Sequence, residues 1–170
     1  MALFELHPPD THHLQAALGW LELGNPSEAG EELARLSPEA LDHPDALEVR
    51  WQICALSSSW DAAVPIAELL VATDPARVGG WIHRAYAIRR AKNGGLQKAW
   101  DALLPAARLF PKEPLIPYNL ACYTAQFGRL EEAWNWFNHA LESAGDSFLI
   151  KMQALADDDL RPLWDRIRKL

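Results

Sequence analysis

Four alanines constrain this chain more than any other feature. Ala29, Ala63, Ala99 and Ala133 stand 34, 36 and 34 residues apart, each in the same local setting. Five residues before each comes a turn residue: Gly24, Ser58, Gly94 and Gly128. Four residues after each comes an apolar one (Leu33, Ala67, Leu103, Phe137), and seven after comes another (Leu36, Leu70, Ala106, Ala140). Pro75 and Pro111 each fall twelve residues past their anchor, where a helix has to stop. One such agreement would mean little, but four registers agreeing identify an internal repeat.

The stretch Tyr118 to Leu141 shows what each repeat folds into. Leu120, Ala121 and Thr124 form one helical stripe, and Leu130, Ala133, Phe137, Ala140 and Leu141 form a second. Gly128 between them can take the left-handed conformation that ends a helix, and Glu131 and Glu132 suit the positive start of the next. Such a hairpin has one apolar side and cannot stand alone. It needs neighbours.

The period near 34 residues and the A-x3-F…P pattern resemble the tetratricopeptide repeat, over roughly residues 10 to 145. The fourth repeat matches best, and the third carries Trp81, Ala85 and Ile88 at the family's first-helix positions. Its AKNGG turn holds two extra residues, which accounts for the spacing of 36. The resemblance implies an all-α fold: a right-handed α-solenoid of about four helix-turn-helix repeats closed by a C-terminal capping helix. A single domain over residues 1–170 is expected, with repeats near 10–43, 44–77, 78–113 and 114–145 and a capping segment 146–170. The first two repeats depart from the pattern. Repeat one lacks the first-helix Trp and breaks at Pro38, and repeat two has the bulky Trp51 where a small residue is usual.

Asp10 is the expected N-cap of the first helix, and Pro105 predicts a bend in the second helix of repeat three. Asp157-Asp158-Asp159 reads as turn and cap, and Leu160, Leu163, Trp164 and Ile167 as a stripe covering the end of repeat four. The first residues, with Leu3, Phe4 and Leu6, are extended and apolar enough to plug a groove. Eight tryptophans are read as packing residues.

The net charge of −7 argues against a nucleic-acid partner or an anionic membrane, both of which need a positive field. No apolar run reaches the length of a membrane span, and the start lacks a secretory pattern, so the cytoplasm is the expected compartment. Cys54 and Cys122 are far apart, each within an apolar helix, and are read as reduced thiols. There is no HExxH, CxxC, GxSxG or phosphate loop, so neither an enzyme nor a cofactor is expected. His7, His12 and His13 lie near Asp10, but adjacent histidines on a helix do not readily share one ion, and no metal is expected.

In tetratricopeptide proteins the first helices line a concave face that holds a peptide or partner helix, and the resemblance implies that use here. On that face the register places Leu14, Leu18 and Glu22 in repeat one, and Asp45, Glu48 and Gln52 in repeat two. Repeat three adds His83, Tyr86, Arg89 and Arg90, and repeat four Tyr118, Asn119, Cys122 and Gln126. The expected peptide-binding residues are Gln52, His83, Tyr86, Arg89, Arg90, Tyr118, Asn119 and Gln126. Their basic and aromatic character suits a protein or peptide partner with acidic groups, since Arg holds a carboxylate with two parallel hydrogen bonds. Of the Lys/Asn set with which some family members clamp a terminal carboxylate, only Asn119 fits. Self-association into a homodimer, through the C-terminal stripe or outward tryptophans, is the alternative, and a chaperone of the secretion type is compatible with this size.

Overall fold

A computed structural model describes residues 5–170. The described residues form helices and turns, with no strand. They divide into two compact units, one ending at Gly95 and the other running from Leu96 to Leu170.

The N-terminal unit holds α1 (Asp10–Glu22), α2 (Pro26–Leu33), α3 (Pro44–Leu56), α4 (Trp60–Thr73) and α5 (Val78–Arg90). α1 pairs with α2, and α3 with α4, each through a tight turn. Gly24 and Ser58 adopt left-handed φ of 71° and 52° there. The residue after each turn donates back to the preceding helix, Asn25 to the Trp20 carbonyl and Ser59 to that of Cys54, both at 2.8 Å. These bonds satisfy carbonyls that a helix end otherwise leaves orphaned. Asn25 then caps α2 by accepting from the Glu28 N–H.

Asp10 does not cap α1; Pro9 occupies that position and Asp10 is the first helical residue. Its carboxylate instead accepts from the backbone N–H and the hydroxyl of Ser37, both at 2.7 Å, pinning the irregular loop that leaves repeat one. The Ser37 backbone bond, followed by the hydroxyl bond, pulls the Asp10 carboxyl below its usual range. A contact between residues 27 positions apart leaves no trace in local helix signals.

Ala17, Ala29 and Leu33 centre a core that extends to Ala40, Ala46 and Val49. Leu6 packs against it, while Leu3 and Phe4 lie outside the described residues. A second core is built differently. Trp51, on α3, packs with Ala63 and Ala67 of α4 and Ala87 of α5. Ala67 is small where the other repeats carry Leu33, Leu103 and Phe137, so the indole of Trp51 takes the space from the opposite helix.

In the third repeat the left-handed φ belongs to Gly95 (111°), one residue past the position the repeat register assigns. Gly94 is required for a different reason: a Cβ there would stand 1.7 Å from the Ile88 carbonyl oxygen. Gly95 donates to that carbonyl at 2.9 Å, a wider loop that absorbs the two extra residues.

The C-terminal unit holds α6 (Leu96–Leu103), α7 (Ala106–Leu109), α8 (Leu115–Gln126), α9 (Leu130–Ser143) and α10 (Ser147–Ala156). A 3₁₀ segment, Asp158–Leu163, and α11 (Trp164–Ile167) complete it. The bend expected at Pro105 is a full break between α6 and α7, because proline supplies no N–H to carry the ladder through. α8 and α9 close on each other through Gly128 at φ 74°. Ala121 and Ala133 have no exposed surface and Phe137 fills the space beside them. The C-terminal stripe is core: Leu160, Leu163 and Ile167 are buried.

The shared space at Trp51 and Ala67 makes a quantitative prediction. Ala67→Leu is expected to cost about 1–3 kcal/mol through overpacking, and Trp51→Ala about 3–5 kcal/mol through the cavity it leaves. The double variant should lose clearly less than the sum, read from chemical-denaturation midpoints. Simple additivity would show that the two side chains do not compete for one space.

Candidate protein-interaction groove

The first helices of the N-terminal unit leave a groove near their C-terminal ends. It encloses about 590 Å³ and is lined by Leu18, Leu21 and Glu22 of α1, Trp51, Gln52, Ala55 and Leu56 of α3, Trp60 of α4 and Tyr86 of α5. Its apolar rim is open, with Leu18 39% and Leu56 56% exposed. Three rings make its aromatic side. Trp51 meets Tyr86 edge-on at 6.1 Å between centroids, and Trp60 meets Tyr86 in the same way at 5.5 Å.

His83 positions this set from behind. Its imidazole stacks on the Trp51 indole, 3.8 Å apart and 11° from parallel, while its Nε2 is hydrogen-bonded to the Glu48 carboxylate. The Trp51 indole N–H is buried with no hydrogen-bond partner among the described residues, which costs local stability at the groove's inner side. Arg90 completes the cluster. Its guanidinium lies 3.4 Å from the Tyr86 ring centroid and 5.4 Å from that of Trp60, and it donates to the Tyr86 carbonyl at 3.2 Å. Arg90 itself is exposed, and stacked on these half-buried rings its guanidinium keeps most of its five donors facing outward.

Of the residues anticipated on this face, Leu18, Glu22, Gln52 and Tyr86 line the groove, and His83 and Arg90 stand against it. Arg89 is half-buried on α5. Leu14 lies in the core, and Asp45 is held in an ion pair with Arg77 at 2.7 Å. Trp51 and Trp60, anticipated as packing residues, also line the groove. The sequence signal for Trp51 was its bulk at a position that usually takes a small side chain.

The corresponding face of the C-terminal unit is covered by its own chain. Tyr118 is 3% exposed and its hydroxyl donates to Asp157 at 3.0 Å. Burial, then the Cys122 and Asp157 charges, push the phenol far above its ordinary range, so it stays a donor. Cys122 also donates to Asp157, at 3.5 Å, and the Asp159 N–H reaches the other carboxylate oxygen at 3.0 Å. Gln126 donates to the Asp159 carbonyl, and Trp164 to the Ala154 carbonyl. Asn119 donates to the Leu115 carbonyl of its own helix, at 2.7 Å. Ligand atoms of Cys122, Asp157 and Asp159 lie within 4.8 Å of one another, a spacing that could hold a metal. Both Asp157 oxygens already accept hydrogen bonds, one from the Asp159 N–H that caps the 3₁₀ segment and the other from Tyr118 and Cys122 of α8, and that structural task accounts for the cluster.

Stacked helix-turn-helix hairpins with small anchors, left-handed turns and an open first-helix face define a helical-repeat fold of the tetratricopeptide type. Solved structures agree. A thermophilic TPR protein of Thermus thermophilus superposes with a TM-score of 0.67 at 19% identity, over 95% of this chain and 100% of that one. MamA of RS-1, as a double mutant, gives 0.69 at 18% identity over 79% of this chain and 75% of its own. MamA of MSR-1 gives 0.64 at 22% identity over 79% and 76%. No family model and no curated protein sequence matches the chain. No helix among the described residues is long and apolar enough to cross a membrane.

The Asp157 cap can be tested directly. Asp157→Ala strands the Tyr118 hydroxyl in the interior and is expected to cost about 1–3 kcal/mol, with Tyr118→Phe costing less. Hydrogen exchange should accelerate in residues 147–167 and stay unchanged in α1 to α5. Unaltered exchange in residues 147–167 would show that the cap does not hold the segment down.

Proposed function

We propose that this protein is a non-enzymatic interaction scaffold that holds a segment of another protein in the groove of its N-terminal unit. The observation that carries the reading is the open apolar groove lined by Leu18, Leu56, Trp51, Trp60 and Tyr86. A concave apolar surface with a few convergent polar groups is the usual form of a binding site. Rigid aromatic side chains give large contact area at small entropic cost, which favours them as anchors.

In this reading an apolar side chain of the partner enters the groove. An acidic group beside it meets Arg90, with Arg89 on the same helix, and Gln52 offers hydrogen bonds to the partner's backbone. Glu22, at the other edge, disfavours a second acid there and so sets the direction in which the segment lies. His83 acts by holding Trp51, while Tyr118 and Gln126 keep the C-terminal segment in place and Asn119 bonds within its own helix.

A peptide-display selection against the whole protein tests this. The expected ligands share an apolar or aromatic anchor with Asp or Glu nearby. Leu56→Asp and Arg90→Glu should each weaken them about tenfold or more with helical circular dichroism unchanged. Ligands without acidic residues would remove the role of Arg90, and binding indifferent to Leu56→Asp would move the site away from the groove.

A further inference from the structure

We infer that α10 and the adjoining end of α9 form a self-complementary surface on which a second copy of this chain docks. α10 turns Ile150 and Ala154 inward and leaves Phe148, Leu149 and Met152 at 63%, 63% and 50% exposure. Leu170, 59% exposed, joins Phe148 at one cavity. Scattered exposed leucines are ordinary, but three large apolar side chains on one ten-residue helix beside a fourth mark a contact surface.

The composition of the patch selects the occupant. Phe148, Leu170 and Leu141 share the edge of a cavity of about 430 Å³ with Glu142 and Lys151. The surface therefore carries a protruding apolar side chain, a hollow, one acid and one base. Among the described residues, neither Glu142 nor Lys151 has an ion-pair partner. A partner of one charge sign would satisfy one of them and repel the other.

A two-fold axis satisfies both, because in such an interface residue i meets j and j meets i. Phe148 then enters the hollow of the other copy, and Lys151 faces Glu142 of the partner subunit at both ends. A one-helix face gives a small interface. A standard stable one buries about 800 Å² on each partner. The dimer is accordingly concentration-dependent.

The test is sedimentation or light scattering from micromolar to near-millimolar protein. The natural chain should rise from 19.1 kDa toward twice that mass. Phe148→Asp should weaken the dimer about tenfold or more. Lys151→Glu and Glu142→Lys should each weaken it several-fold, and the double swap should recover most of the loss. Leu56→Asp and Arg90→Glu should dimerise like the natural chain, so failure of the groove reading would leave this one standing. A monomer at every concentration would overturn the proposal, as would a dimer indifferent to Phe148→Asp. A double swap no better than either single change would overturn the two-fold pairing.

Discussion

Close approach of two helices at an alanine is the constraint on which this structure depends. Ala29, Ala63, Ala99 and Ala133 have no exposed surface. Packed helices run about 8–10 Å apart, and the side chains at the contact set where in that range a pair sits. An alanine at the crossing brings the backbones near, and a large residue one turn on fills the wedge beside it. Leu33 does this on α2, and Phe137 on α9. No single hairpin buries both of its faces, so stability comes from stacking, as in other repeat proteins.

The second repeat solves the same packing problem from the other side, and the groove follows from that. With Ala67 at the filling position, Trp51 must supply the volume from α3. An indole is larger than the leucine it stands in for, so its ring also reaches the groove face, where Tyr86 meets its edge, while His83, outside the groove lining, stacks on it. A residue whose first task is to fill a core thereby also becomes part of the groove lining. An indole N–H without a hydrogen-bond partner among the described residues is consistent with a side chain placed by volume rather than by hydrogen bonding.

Much of this was legible in the sequence because it is local. Helix positions, the turns at Gly24, Ser58 and Gly128, a bend at Pro105 (in the structure a full break) and the buried C-terminal stripe follow from periodicity, left-handed φ and missing donors. What could not be read depends on pairs distant in the chain. Asp10 looks like a cap for the helix it starts, yet binds Ser37. The shift from Gly94 to Gly95 depends on where the Ile88 carbonyl lies, which spacing does not encode. Tyr118 has the right register for a first-helix face, but register does not show what later segment lies across it. The exchange between Trp51 and Ala67 was visible only in part, as a Trp51 too large for its position, while Ala67 passed as one more apolar residue of the register. Only their shared environment joins them.

The two units treat equivalent faces in opposite ways, and the reason lies in what covers them. A first-helix face bearing Tyr118, Cys122 and Gln126 is polar enough to need hydrogen-bond partners once it is covered. The Asp157 carboxylate, the Asp159 carbonyl and the buried Leu160 and Leu163 supply both bonds and bulk. The face bearing Leu18, Gln52, Leu56 and Tyr86 is mainly apolar and asks for little hydrogen bonding. No described segment of its own unit lies over it, and its groove remains open. A buried polar face without its partners would be costly, whereas an uncovered apolar groove costs only the burial it forgoes. That lost burial is open to a partner on binding, which is why we propose the open face, and not the covered one, for recognition.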